Sequence, residues 1–158
     1  MTVKVGNWWP IRDGDPRALA LYLRHYSSLH YRRRRNRKIA GPGEYMMLLT
    51  LDCKALWVWR KFIDKSGQQG VNCAVFRNEG NILSSELIKE AVELAWARWP
   101  GVRLYTYING KKVKSPNAGY CYLKAGWQKA GKTQGGLLIL ERLWNEAPLL
   151  NKVEVKDS

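Results

Sequence analysis

Long apolar runs are missing from this chain of 158 residues. None approaches the ~20 residues that a membrane-spanning helix needs. The opening stretch MTVKVGNWWPIRDGD has no apolar signal-peptide core either, so a cytoplasmic location is expected, with no membrane partner. Cysteine is scarce. Cys53, Cys73 and Cys121 are odd in number, widely spaced and without a CxxC pair. That speaks against a disulfide framework or a zinc site; buried free thiols and no metal are expected. Acidic residues are the third shortage, 13 against 27 basic, for a formal net charge of +14.

Six of the positives lie in one run, RRRRNRK, formed by Arg32, Arg33, Arg34, Arg35, Arg37 and Lys38 around Asn36. Taking those six from 27 leaves 21 basic residues against 13 acidic, so the excess belongs to the whole surface. A polyanionic partner accounts for it, and nucleic acid, DNA first, is the commonest. The plainer alternative is a solvated charge run that aids solubility. Consecutive arginines contact phosphates without reading bases, which predicts affinity rather than sequence specificity.

What is present is an ordinary globular composition, 46% hydrophobic and 25% charged, at the length of one domain. No internal repeat or second domain is visible; residues 1–144 read as one domain and 145–158 as a C-terminal tail. Val3 to Ile11 reads as a strand. Asp15-Pro16 is a helix start, with Leu19, Tyr22, Leu23 and Tyr26 predicted on one face. His25-Tyr26 and His30-Tyr31 precede the arginine run. Tyr26 and His30 are candidate nucleic-acid contacts and His25 a proton carrier, since rings stack on bases and imidazole titrates near neutrality. Equally, Tyr26 is core and His25 plain surface.

After the breaker Gly41-Pro42-Gly43, Tyr45–Leu51 and Ala55–Phe62 read as a hairpin, with Trp57 and Trp59 on one face and Leu56 and Val58 on the other. Val71 to Phe76 is the third strand of a meander. A helix follows from Ser84 or Ser85, either of which can cap it, with Leu87, Ile88, Ala91, Val92, Ala95 and Trp99 as its apolar face. Val102 to Ile108 is a parallel strand, and this strand–helix–strand unit can hold an anion at the helix N-terminus. A short helix stopped by Gly126 and a hairpin through Gly135-Gly136 to Leu137–Leu143 complete the chain. The expected class is α/β, more fully an α+β mixed sheet flanked by helices.

This element order, with a short helix ending in Tyr122-Leu123-Lys124-Ala125-Gly126-Trp127, resembles the GNAT superfamily of N-acyltransferases and its frequent Tyr-x-x-x-Gly-Phe segment. The resemblance covers residues 3–143 in topology, and its motif lies in the second half. Within the superfamily, the His25-Tyr26-Ser27 helix end, the basic segment, the Asn78 to Ser85 loop and AGYCYLKAGW resemble phage and prophage Mom-like DNA-modification proteins. Those are implicated in altering the exocyclic amine of adenine. The resemblance implies an acyltransferase using acetyl-coenzyme A or another acyl-coenzyme A. Val75, Phe76, Arg77, Gly80, Ser84 and Ser85 would then bind the cofactor. The loop Arg77-Asn78-Glu79-Gly80 departs from the family's Arg/Gln-x-x-Gly-x-Gly/Ala pattern, and Glu79 would oppose a pyrophosphate.

By the same resemblance Tyr122, with Tyr120 as second choice, protonates the departing thiolate; both can equally be packing residues. A base is needed for a weakly nucleophilic amine held out of the base stack. His25, Glu44, Tyr107 and Asn109 are the candidates, and Tyr105 with Tyr107 can form a stacking wall. Two other readings stay open: a non-catalytic nucleic-acid-binding protein on this fold, and an acyltransferase for a small-molecule or protein amine.

Overall fold

The computed structural model describes residues 6–24, 39–41, 43–63, 67–110 and 119–144. His25, Tyr26, His30 and the basic run 32–38 lie outside them, as does the tail from 145.

Strand β1 (Trp8–Ile11) forms one edge of the sheet; Val3, where the strand was expected to begin, lies outside the described residues. Asp15 caps helix α1 (Pro16–Leu23) by accepting a hydrogen bond from Arg17 N at 2.8 Å, with Pro16 at the first helical position as expected. The buried face of α1 is Ala18, Leu21 and Tyr22. Leu19 and Leu23 flank it half-buried, so the expected stripe is rotated by about one position.

The meander is β2 (Glu44–Thr50), β3 (Ala55–Lys61) and β4 (Val71–Asn78). Helix α2 (Ser84–Arg98) crosses over to β5 (Leu104–Ile108), followed by α3 (Tyr120–Lys124) and the hairpin β6 (Gln128–Lys132) and β7 (Leu138–Arg142). The seven described strands form one mixed sheet in the order β1-β2-β3-β4-β5-β7-β6, in which only β4 and β5 run parallel. The order of elements read from the sequence is the order observed.

Alternation along β3 divides the core as expected. Trp57 and Trp59 face α2 and α3, while Leu56 and Val58 face α1 with Met47, Leu49 and Val75. Indole nitrogens then fix α2 on the sheet. Trp8 Nε1 donates to Leu87 O and Trp59 Nε1 to Ala91 O, each at 2.9 Å and buried. Helix α2 has Leu83 as its N-cap residue, with no side-chain cap. Ser84 and Ser85 are already helical, and Ser84 Oγ is occupied in accepting from Asn78 Nδ2 at 3.0 Å, which corrects the expected serine cap.

The ladder between β3 and β4 is irregular at one point. Val58 pairs with Val75 and Trp59 with Cys73, leaving Ala74 without an opposite residue. This β-bulge resets the alternation, so that Cys73 and Phe76 point to the same side of the sheet although they are three residues apart.

Candidate active site

Parallel pairing between β4 and β5 stops early. It joins Val71–Cys73 to Leu104–Thr106, and beyond those residues the two strands have no pairing with each other. Among the described strands, the edge of β4 from Ala74 to Asn78 that faces β5 therefore has no partner, and the bulge at Ala74 falls at the point of separation. Thr106 Oγ1 donates to Cys73 O at 3.0 Å and fixes that apex.

The separated strands open a cleft of about 240 Å³. Cys73, Phe76 and Asn78 line it from β4, Thr106 and Tyr107 from β5, and Ser84 from the start of α2. Cys121 and Tyr122 close it from α3. Among the described residues its lining carries no charged side chain.

Helix α3 is short, and its two ends explain how it places a tyrosine there. Gly119 precedes it with φ 79°, a left-handed conformation that favours glycine, and a Cβ on that residue would lie 2.7 Å from Leu140 Cδ1, so that side chain would have to shift. At the other end Trp127 N donates to Tyr122 O at 3.0 Å and Gly126 N to Leu123 O at 3.1 Å, with Gly126 at φ 99°. This is a Schellman ending, and its usual apolar contact is made by the Tyr122 and Trp127 rings. The spacing Tyr-x-x-x-Gly-Trp is thus the spacing that the helix ending requires. Tyr122 packs against Trp57, Phe76 and Trp127, while its hydroxyl lies 3.5 Å from Cys73 Sγ. Packing and placement in the cleft are both properties of this one residue.

The structure separates the two candidate tyrosines. Tyr120 is half exposed beside the Lys124 ammonium, outside the cleft lining. Asn109 follows directly on β5 at the cleft end of the sheet, half-buried. Glu44 sits at the opposite end: it starts β2 across from Lys61, where β3 meets Val71, and accepts from Trp99 Nε1 at 3.3 Å. Tyr105 is buried, and its ring meets Tyr107 edge-on at 5.6 Å; Tyr107 alone of the two reaches the cleft.

Of the residues expected at a cofactor, Phe76 and Ser84 line the cleft. The Val75 side chain packs on the α1 face, and Ser85 is buried. Arg77 lies near the end of β4, across from Leu56, and Gly80 belongs to the loop before α2, which is braced internally. Asn78 Nδ2 donates to Ile82 O and Ser84 Oγ, and Asn78 Oδ1 accepts from Gly80 N. Glu79 does not stand as an isolated negative charge. Arg24 at the end of α1 binds it through Nε at 2.6 Å and NH2 at 2.8 Å, and Arg77 Nε adds a third contact at 2.9 Å. Its carboxyl is held down to about 2, first by Arg24 and then by Arg77.

Arg24 and Thr106 were not singled out from the sequence, and Cys73 was singled out only as a buried free thiol. Cys73 and Thr106 become neighbours only through the β4–β5 register, and Arg24 reaches Glu79 across 55 residues. The two thiols of the cleft are poor nucleophiles: burial pushes Cys73 up to about 12 and Cys121 upward as well. All three cysteines are free, but of the expected buried thiols only Cys73 is buried, Cys53 and Cys121 being half-buried; among the described residues no cluster of potential metal ligands occurs. No helix among these residues is long and apolar enough to cross a membrane. Comparison with known proteins finds no matching family model, curated protein or solved structure.

Proposed function

We propose that this protein is an acyltransferase of the GNAT kind that carries an acyl group from coenzyme A to an amine of nucleic acid, the exocyclic amine of adenine in DNA being the first candidate. The observation that carries the reading is the cleft between the parallel strands β4 and β5, closed by Tyr122 from α3. An extended thioester chain fits such a cleft because the open edge of β4 offers backbone groups that no described neighbouring strand uses. Coenzyme A, when bound, supplies an activated carbonyl and a sulfur leaving group. Phe76 and Ser84 are the residues of the lining that would hold it, with the backbone of residues 74–77 polarising the carbonyl. The Tyr122 hydroxyl, of a type with an ordinary pKa of about 10, is a suitable donor to a departing thiolate. Nucleic acid as acceptor rests on the +14 charge.

The test is intact-nucleoside mass spectrometry on DNA from cells that express the protein, beside a Tyr122→Phe control. A new adenosine derivative present only with the wild type is the expected result, and unchanged nucleosides would count against the reading.

A specific observation favours a second reading, a non-catalytic nucleic-acid-binding protein on this fold. Two amides of the loop before α2 are already committed, Glu79 N to Lys54 O and Gly80 N to Asn78 Oδ1, which leaves fewer for a pyrophosphate. On that reading salt-sensitive binding persists in the Tyr122→Phe variant, and acetyl-coenzyme A does not raise the melting temperature.

A further inference from the structure

Tyr122 does not meet the cleft alone. Its hydroxyl is 3.5 Å from Cys73 Sγ, at a distance and burial where either group can donate to the other. The same sulfur lies 3.7 Å from the carbonyl of Val75, one residue beyond the bulge. Cys73 thus has two acceptors within reach of one rotatable S–H, and its backbone carbonyl is held by Thr106. We infer that Cys73 is a positioning residue for Tyr122, a thiol that turns its proton from the Val75 carbonyl to the tyrosine oxygen when Tyr122 gives up its own.

The inference rests on the acyl-transfer reading. There the Tyr122 O–H bond breaks, its proton forms an S–H bond on the leaving thiolate, and a phenolate is left behind. The acceptor amine loses one proton to solvent as its N–C bond forms, and Tyr122 recovers one from solvent, so the cycle balances. A phenolate in an uncharged cleft needs a donor held against it. Among the described residues the other titratable groups that line the cleft are Cys73 from β4, Tyr107 from β5 and Cys121 from α3; no carboxylate, lysine or arginine does. Cys73 is in contact with the hydroxyl. Because burial pushes its thiol up to about 12, Cys73 keeps its proton throughout and neither competes as an acid nor attacks the thioester. The bulge at Ala74 is what brings the sulfur to this side of the sheet.

The experiment is an NMR titration of the full-length protein labelled at the tyrosine ζ-carbon, with the Tyr122 signal assigned by its loss in Tyr122→Phe. Cys73→Ala and Cys73→Ser are compared with wild type, and near-ultraviolet circular dichroism checks that each keeps the aromatic core. In Cys73→Ala the Tyr122 titration is expected about one unit higher, with turnover of acetyl-coenzyme A on DNA roughly tenfold slower at unchanged KM. Cys73→Ser, which keeps a donor, restores most of both. Identical Tyr122 titrations in wild type and Cys73→Ala overturn the inference, while loss of turnover in Tyr122→Phe would leave the acid role standing. Full turnover in Tyr122→Phe ends the acid role, and the inference falls with it whatever the titration shows.

Discussion

The rings of Tyr122 and Trp127 lie 5.0 Å apart at 68°, joined across the end of α3 by the hydrogen bond from Trp127 N to Tyr122 O. One local motif therefore sets where a helix stops, which tyrosine is buried and where the next strand starts. Gly126→Ala forces a left-handed conformation on a residue with a Cβ, at a cost of about 1–2 kcal/mol. Gly119→Ala adds a clash with Leu140 to a similar backbone strain and should cost more, about 2–4 kcal/mol. Urea denaturation at constant m-value checks both. Gly119→Ala should also weaken any ligand of the cleft, because it displaces α3 from β7.

Thr106→Val tests the apex of the cleft. The change is nearly isosteric but leaves the buried Cys73 carbonyl without the hydroxyl it accepts from at 3.0 Å. A loss of about 1–3 kcal/mol is expected. Hydrogen exchange should rise first at residues 71–73 and 104–106, where the parallel pairing is only three residues long. Uniform protection in the variant would show that the pairing holds without Thr106.

Much of this fold is written locally in the chain. Asp15-Pro16, the alternation of Trp57 and Trp59 with Leu56 and Val58, and Gly126-Trp127 each dictate one geometry, and each was legible. The rotation of α1 was not, because Ala18 counts little in an apolar pattern yet is buried with Leu21 and Tyr22. The serine cap failed for a related reason: Ser84 Oγ answers to Asn78, six residues back, rather than to its own helix. The site itself was half legible. Tyr122 is marked by the helix ending, whereas Cys73 and Thr106 are joined only by strand register and a bulge, which have no local signature. The basic run, the strongest compositional signal, lies outside the described residues, between Arg24, held by Glu79, and Ile39, whose amide is held by Asp13.

The Glu79 pairings predict a pH dependence. Its folded-state carboxyl lies at about 2, below the ordinary 4.5, so the stabilisation is complete above pH 4.5 and is lost as pH falls from there towards 2. The group is partly exposed, which limits the effect to about 1 kcal/mol or less. Glu79→Gln should be slightly less stable than wild type at pH 7 and equal to it near pH 2. A stability gap that stays constant across that window would assign the loss to something other than the ion pairs.

Charge on the basic run should be readable as a salt dependence. Each phosphate neutralised contributes about 0.9 to the slope of log K against log salt on duplex DNA. Replacing Arg32, Arg33, Arg34 and Arg35 by alanine should therefore lower that slope by up to about 3.6, and by the same amount on unrelated sequences, because arginine–phosphate contacts carry no base readout. Glu79→Gln works in the opposite direction. It removes the carboxylate that Arg24 and Arg77 now bind, and the slope should rise by up to about 1.8 if both arginines then reach phosphates. Filter binding or fluorescence anisotropy across a salt series, on two unrelated duplexes, measures both variants against wild type. A quadruple variant that keeps the wild-type slope would remove these four arginines from the interface and move it to the 23 basic residues that remain, which still outnumber the 13 acidic ones.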